Sequence, residues 1–452
     1  MTTQTLTPHE PTTTRSGPLA RVVAASMTLG LAGAATLALV VLPGASEHVV
    51  LAAMLLSFAA GWAALAGMST RWTGRPQGWA RVPAAAMAAT GAALLAFSPG
   101  DQAMADLGWV WPPALLALAV WTFRAARRTL HTRARAWLVQ PVCVALALAA
   151  VGGATETVLG TSDHRLDAPT GQTYDVAGHR MYLHCTGSGR PTVLLSSGLG
   201  ERTPSWAWIT GTVAATTRVC AYDRAGQGWS EAASSPQDGA AVAADLHATL
   251  AKAHVDGPYV LAGHSIGGIY DLIFAARYPT EVAGLVLLDS ATPEQFTALP
   301  RYPGFYSMYR RATGILPVLA RVGIGRLAAT VQFDGLPAGA RDQERAFASR
   351  AHDFNAQRDE FAELPTAFAQ AKALTSLGTT PLVVVTADQG QDPGWSQAQD
   401  RLATLSTNSA HRIVHGATHE ALLLDRRFAA ASCRAITDTV FAARTHARVA
   451  AS

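Results

Sequence analysis

Lysine is nearly missing from this 452-residue chain: of its 35 basic residues, only Lys252 and Lys372 are Lys. Together with the abundance of Ala, this reads as a coding bias and carries no functional meaning. Charge of either sign is also scarce, at 15% of residues against about 25% in ordinary soluble domains. That shortage, beside 49% hydrophobic residues, excludes a fully soluble or disordered chain. The length allows roughly two or three domains. The formal net charge of +4 raises the question of a polyanionic partner, which only the distribution of charge can answer.

Dividing the chain after Gly160 separates two compositions. Before it stand ten Arg (Arg15, Arg21, Arg71, Arg75, Arg81, Arg124, Arg127, Arg128, Arg133 and Arg135) and five acids (Glu10, Glu47, Asp101, Asp106 and Glu156). The remainder is close to neutral. The basic excess therefore belongs to residues 1–160, and no nucleic-acid partner is expected.

Residues 1–160 contain five apolar runs without charge, at 22–42, 49–68, 82–100, 107–123 and 136–154. A helix needs about 17 to 25 such residues to cross a bilayer, so the expectation is a five-span transmembrane module with the lipid bilayer as its partner. A cleaved signal peptide would account for the first run alone. Pro83 in the third run and Pro112-Pro113 in the fourth mark these as the weakest, with a bend expected at the Pro pair. Positive loops stay cytoplasmic. The tail before 22, the loop 69–81 and the loop 124–135 carry all ten Arg, whereas 43–48 and 101–106 carry neither Lys nor Arg. Five crossings then put the N-terminus in the cytoplasm and residues 161–452 outside; an even number would reverse this. Trp79, Trp109, Trp111 and Trp121 fall near run ends, as an interfacial aromatic belt requires. No Asp, Glu or His lies within a run, so the spans read as an anchor or assembly module and give no support to transport.

From about Gln172 short β-branched runs replace the long apolar ones. Residues 173–176 and 180–185 flank Ala177-Gly178-His179 as a hairpin. Further strands are expected at 192–196, 218–222, 258–262, 284–288, 381–386 and 411–414. Segments of helical period lie between them at 206–215, 239–253, 266–278, 397–406 and 426–443. This alternation predicts an α/β domain with a mostly parallel eight-stranded sheet covered by helices on both faces. Between about 290 and 380 the alternation stops, and a helical cap is expected there. Its aromatics Phe296, Tyr302, Phe305, Tyr306 and Tyr309 fit either the core of the cap or the wall of an apolar pocket.

The strongest chemical signal is Gly263-His264-Ser265-Ile266-Gly267-Gly268 between a buried strand and a helix. The pattern G-x-S-x-G alone is weak, but in this context small residues allow the sharp turn that lifts a Ser hydroxyl to the edge of a sheet. A Ser hydroxyl needs a base, and His419 in Gly416-Ala-Thr-His419-Glu420 follows the last expected strand. His264 has no evident role and reads as structural.

On these motifs the segment from about 172 to 443 resembles the α/β-hydrolase fold superfamily. Further matching features are the strand running into Ser197-Gly198-Leu199-Gly200 and the Asp223–Ser230 turn, the latter more structural than catalytic. The resemblance implies Ser265 as nucleophile, His419 as base, and Leu199 and Ile266 as backbone donors to an oxyanion. Its usual position for the orienting acid is Gly390 here. Asp289, at the end of the strand 284–288, is favoured, with Asp388 and Asp392 as alternatives. A Ser at the elbow sets the chain apart from the epoxide hydrolase and haloalkane dehalogenase branches, which by resemblance use Asp. No metal, nucleotide or other cofactor is implied. Cys185 and Cys220 would lie on neighbouring strands, either as a disulfide or as buried thiols.

The leading expectation is a membrane-anchored, extracytoplasmic serine hydrolase acting on a small or lipid-like carboxylic ester. The competing expectations are an acyltransferase or aminopeptidase of the same fold, and a non-catalytic membrane sensor that only binds a ligand.

Overall fold

The computed structural model describes residues 18–130, 133–163 and 170–450. Arg15, used above to orient the chain, lies outside the described residues. The chain divides into two compact units. The first takes in the chain up to Leu37, then Leu51–Ser98 and Val110–Ala150; the second takes in Ala38–Val50, Pro99–Trp109 and Val151 onward. This differs from a single division near residue 160, because two short segments between apolar helices group with the second unit.

The first unit is built from α1 (Pro18–Thr36), α2 (Glu47–Thr73) and α3 (Arg81–Phe97). It also holds α5 (Trp111–Thr129) and the first part of α6 (Arg133–Asp163), while the first residues of α2, up to Val50, and the short α4 (Asp101–Asp106) belong to the second unit. Its interior centres on Val23, Trp62, Leu65, Met87 and Val139. Outward positions such as Leu31, Phe97, Val144 and Leu148 are apolar as well, so these helices lack the polar face of a helix made for water. Glycines let α1 and α2 approach closely: a Cβ on Gly61 would lie 2.8 Å from the Ser26 carbonyl oxygen, and Ser57 Oγ donates to the Gly30 carbonyl at 3.0 Å. Small residues and short hydroxyl contacts of this kind hold apolar helices together. Among the described residues four helices, Pro18–Val41, Glu47–Thr73, Gly78–Phe97 and Val139–Asp163, are long and apolar enough to cross a membrane. A fifth candidate, Asp101–Trp109 with Trp111–Thr129, is bent by 52°. The run 107–123 is therefore divided, because Pro112 and Pro113 at the start of α5 have no N–H to continue a preceding helix.

The sheet of the second unit has eight strands: β1 (Gln172–Val176), β2 (His179–Thr186), β3 (Thr192–Ser196), β4 (Val219–Asp223), β5 (Tyr259–His264), β6 (Val282–Leu288), β7 (Leu382–Ala387) and β8 (Ser409–Val414). Their spatial order is β1-β2-β4-β3-β5-β6-β7-β8. The β1–β2 and β2–β4 pairs are antiparallel, and all others are parallel. Alternate residues of one strand feed two cores, as a pleat with both faces covered requires. Leu194, Leu261, Leu285 and Val384 pack with α8 (Gly239–Lys252) and α9 (Ile266–Arg277). Val193, Leu195, Val260, Ala262, Val286 and Val385 pack on the opposite side with α7 (Ala207–Val213) and α18 (Arg426–Thr445).

Cys185 stands directly opposite Cys220 in the β2–β4 register, and the two form a disulfide with their Cα atoms 4.0 Å apart. Cys143 and Cys433 are free and buried.

Between β6 and β7 the chain forms only helices: α10 (Gln295–Ala298), α11 (Tyr302–Thr313), α12 (Leu316–Arg321), α13 (Ile324–Ala329), α14 (Ala338–Phe347) and α15 (Ala351–Ala371). The aromatic cluster is largely the core of this cap. Phe296 meets Tyr302, Tyr306 and Phe368 edge-on, and Tyr306 and Tyr309 pack on Phe361. Polar contacts within this unit explain its membership. Glu47 pairs with Arg321 and accepts from Asn355 at 2.9 Å. Asp101 accepts from Asn355 at 2.8 Å and meets His352 at 3.1 Å, while Arg326 pairs with Glu156 and Asp163. After the cap come α16 (Trp395–Ala403), α17 (Ala421–Leu424) and α18.

Candidate active site

Ser265 joins β5 to α9 with φ 55° and ψ −125°, a backbone state that costs a non-glycine residue of order 1–3 kcal/mol. Packing enforces it. A Cβ on Gly267 would lie 2.0 Å from the Ser196 carbonyl oxygen, and one on Gly268 would lie 2.1 Å from Ser290 Oγ. The Ser265 N–H donates to the Leu288 carbonyl at 3.1 Å, and its carbonyl accepts from Ala291 at 2.9 Å. The elbow is thus tied to the end of β6, where Asp289 follows.

His419 lies in the loop after β8, and its Nδ1 is 2.6 Å from Asp289 Oδ2. Asp289 has no exposed side-chain surface. It also accepts from Trp395 Nε1 at 2.7 Å, from Gln391 Nε2 at 3.0 Å and from the Ala387 N–H at 3.3 Å. Burial opposes its charge, but the His419 contact and the Trp395 and Gln391 donors outweigh it and hold the carboxyl below its ordinary value. An ionised Asp289 accepts only, so Nδ1 carries the proton and Nε2 is left as the basic nitrogen. Among the described residues no hydrogen bond joins His419 to Ser265 Oγ, a contact that free enzymes often leave loose until substrate arrives.

Of the three acids considered from sequence, the structure brings Asp289 to His419. Asp388 instead binds His415 Nδ1 at 2.8 Å and the Gly416 N–H at 2.7 Å. Asp392 lies 3.7 Å from Arg301.

The loop after β3 is braced from two sides. Arg224 donates to the Ser197 carbonyl at 2.5 Å and to the Gly198 carbonyl at 2.8 Å. Its guanidinium is fixed in turn by Glu360 of α15 at 2.6 Å. With the carbonyls of Ser197 and Gly198 held by Arg224, the loop passes close to Ser265: a Cβ on Gly198 would lie 3.0 Å from Ser265 Cβ. Leu199 belongs to this loop. Ile266 opens α9, where an N–H has no carbonyl four residues back in the helix.

On the other side, Glu201 Oε2 accepts from the Gly198 N–H at 2.7 Å and lies 2.9 Å from His264 Nδ1. His264 Nε2 is 3.0 Å from the carbonyl oxygen of His419. Glu201, Arg224 and Glu360 were not singled out from sequence, and His264 was read there as having no evident role. Apart from the Glu201–Gly198 contact, their partners lie far away in the chain, and only the position of His264 inside the elbow offers a local signal. The Asp223 turn is structural in its own right: Asp223 accepts from Thr203 and Trp229 N–H groups, and through Arg224 the same turn reaches the site. Among the described residues no group of three or more His, Cys, Asp and Glu is placed to hold a metal ion.

The chain is similar to an uncharacterized protein of Schizosaccharomyces pombe, 27% identical over 312 residues that cover 59% of this chain and 55% of that protein. A second uncharacterized relative, from Bacillus subtilis, is 30% identical over 128 residues, covering 28% of this chain and 39% of its own length. The chain therefore spans about half or less of these two relatives. Among solved structures, the Cif epoxide hydrolase of Acinetobacter nosocomialis aligns with a TM-score of 0.53 and 14% identity, over 65% of this chain and 97% of the other; that likeness concerns the fold alone. The sequence profile of the alpha/beta hydrolase family matches residues 192–431, from β3 through the elbow and the cap into α18. With more than half of its length inside that match, the chain belongs to the alpha/beta hydrolase family.

Proposed function

We propose that the chain is a membrane-anchored serine hydrolase that cleaves a carboxylic ester outside the cytoplasm. The observation that carries this reading is a His whose Nδ1 is fixed by a buried carboxylate, in a chain that also holds a Ser at a strained strand-to-helix turn. In the reaction, Ser265 Oγ attacks the ester carbonyl while His419 Nε2 takes the hydroxyl proton. The N–H groups of Leu199 and Ile266 stabilise the oxyanion. Collapse of the tetrahedral adduct breaks the bond to the alcohol, which leaves with the proton from His419. Water, deprotonated by His419, then attacks the acyl-enzyme; the acyl–Oγ bond breaks as His419 returns the proton to Ser265 Oγ, releasing the acid and the free Ser265 hydroxyl.

The anchoring rests on the long apolar helices and on the confinement of Arg to alternate loops. The extracytoplasmic placement rests on the same Arg pattern and on the Cys185–Cys220 disulfide, a bond that persists in oxidising compartments.

A fluorophosphonate probe tests the chemistry directly. The full chain should be labelled at Ser265 and the Ser265→Ala variant should not; an unlabelled wild-type chain would sink the enzyme reading in favour of a binding protein. A series of p-nitrophenyl esters of rising chain length, with peptide amides as controls, then separates esterase from aminopeptidase.

A further inference from the structure

His264 is fully buried, and both of its ring nitrogens are engaged. Nδ1 faces the Glu201 carboxylate at 2.9 Å, and Nε2 faces the backbone carbonyl of His419 at 3.0 Å. A carbonyl can only accept, and an ionised carboxylate can only accept; a neutral imidazole has one N–H and can satisfy only one of them. Glu201 already takes the Gly198 N–H on Oε2, as a carboxylate would. The ring centroids of His264 and His419 lie 4.4 Å apart. Among the described residues the charged and titratable groups that face His264 are Glu201, His419 and, behind His419, Asp289.

We propose that His264 is a fixed imidazolium, paired with Glu201, that ties the oxyanion loop at Gly198 to the backbone of the catalytic His419. It is a positioning residue. Through Glu201 it sets the Gly198–Leu199 segment, and through Nε2 it sets the loop that carries His419. The donors and the base of one reaction are thereby held at a common reference point on the elbow. The direction of titration agrees. Burial works against the charge on each partner, yet Glu201 holds the imidazole above its ordinary value, and His264 with the Gly198 N–H holds the carboxyl of Glu201 below its own. The role in catalysis rests on the serine-hydrolase reading, whereas the charge state of His264 does not.

The test uses the full chain with ¹⁵N-labelled histidine rings, the His264 signals being those lost in His264→Gln. The wild type should show two bonded ring protons on His264 at pH 7, and Glu201→Gln should show one. Turnover of a p-nitrophenyl ester by Glu201→Gln should fall about 10- to 100-fold in kcat, with KM changed by less than about threefold. The double variant Glu201→Gln/His264→Gln should be no worse than the poorer single variant, since the two act as one unit. A single ring proton in the wild type at pH 7, an undiminished kcat in Glu201→Gln, or losses that multiply in the double variant would each overturn the proposal. If the Glu201 variants fail to fold, the wild-type ring signals still decide the charge state, and if His264→Gln fails to fold, those signals are assigned by the through-space contact of the His264 and His419 rings. A wild-type chain inert to fluorophosphonate would defeat the serine-hydrolase reading and leave that measurement standing.

Discussion

Asp289 takes four donors on two oxygens in a place without solvent, so its charge is held by hydrogen bonds from fixed neighbours. Asp289→Asn keeps the shape but sets an amide N–H₂ against at least one of those donors and favours the wrong His419 tautomer. Its kcat should fall by roughly four orders of magnitude, while Asp388→Asn and Asp392→Asn should stay within about threefold, as measured by steady-state ester hydrolysis. The Glu201–His264 pair gives a second expectation, for stability. The raised His264 contributes fully below its ordinary 6.5 and loses that contribution as pH rises through its folded value. The lowered Glu201 contributes above its ordinary 4.5 and loses that contribution as pH falls through its folded value. The Tm advantage of the wild type over the double variant should therefore be largest between pH 4.5 and 6.5, persist beyond both limits, and shrink at alkaline pH. Ser265 and His419 were readable as local spacings beside a strand. Asp289 was one of three acids, because choosing among them requires knowing which strand end abuts the last loop. Arg224 was not readable, since it acts on residues brought together only by the fold, and Glu201 was not because its link to His264 depends on the fold although Gly198 is three residues away.

At the scale of elements, the elbow is a close approach of α9 to β3, and glycine is what permits it. Gly267→Ala would drive a methyl group into the Ser196 backbone, and overpacking of this kind costs about 1–3 kcal/mol or more. Gly304 in α11 has open space where its Cβ would stand, so Gly304→Ala should gain up to about 1 kcal/mol from helix propensity. Thermal unfolding of the two variants should move in opposite directions, with fluorophosphonate labelling lost only for Gly267→Ala. The sheet was legible because β3, β4 and β5 are buried throughout their lengths; such strands read as short unbroken apolar runs. The helical cap was legible as a gap in that rhythm. The placing of 38–50 and 99–109 with the second unit was not, because it depends on Glu47 meeting Arg321 and Asp101 meeting His352, pairs about 250 residues or more apart in the chain.

At the scale of the whole molecule, the proposed extracytoplasmic placement has two independent supports, the Arg distribution and the disulfide. Arg residues act through loop charge during insertion, whereas Cys185–Cys220 reports the redox state of the compartment where the sheet ends up. The bond closes a loop across 35 positions, for which chain entropy gives about 3–4 kcal/mol. The Cys185→Ser/Cys220→Ser chain should be less stable by about that amount, and reductant should lower the Tm of the wild type but not of the variant. The four cysteines also allow a count in cells. Acid-quenched membranes, denatured and treated with a polyethylene-glycol maleimide, should show two additions, at Cys143 and Cys433. Four should appear after reduction. Four additions without reduction would place the domain on the reducing side, require an even number of crossings, and overturn the extracytoplasmic reading while leaving the chemistry of Ser265 untouched.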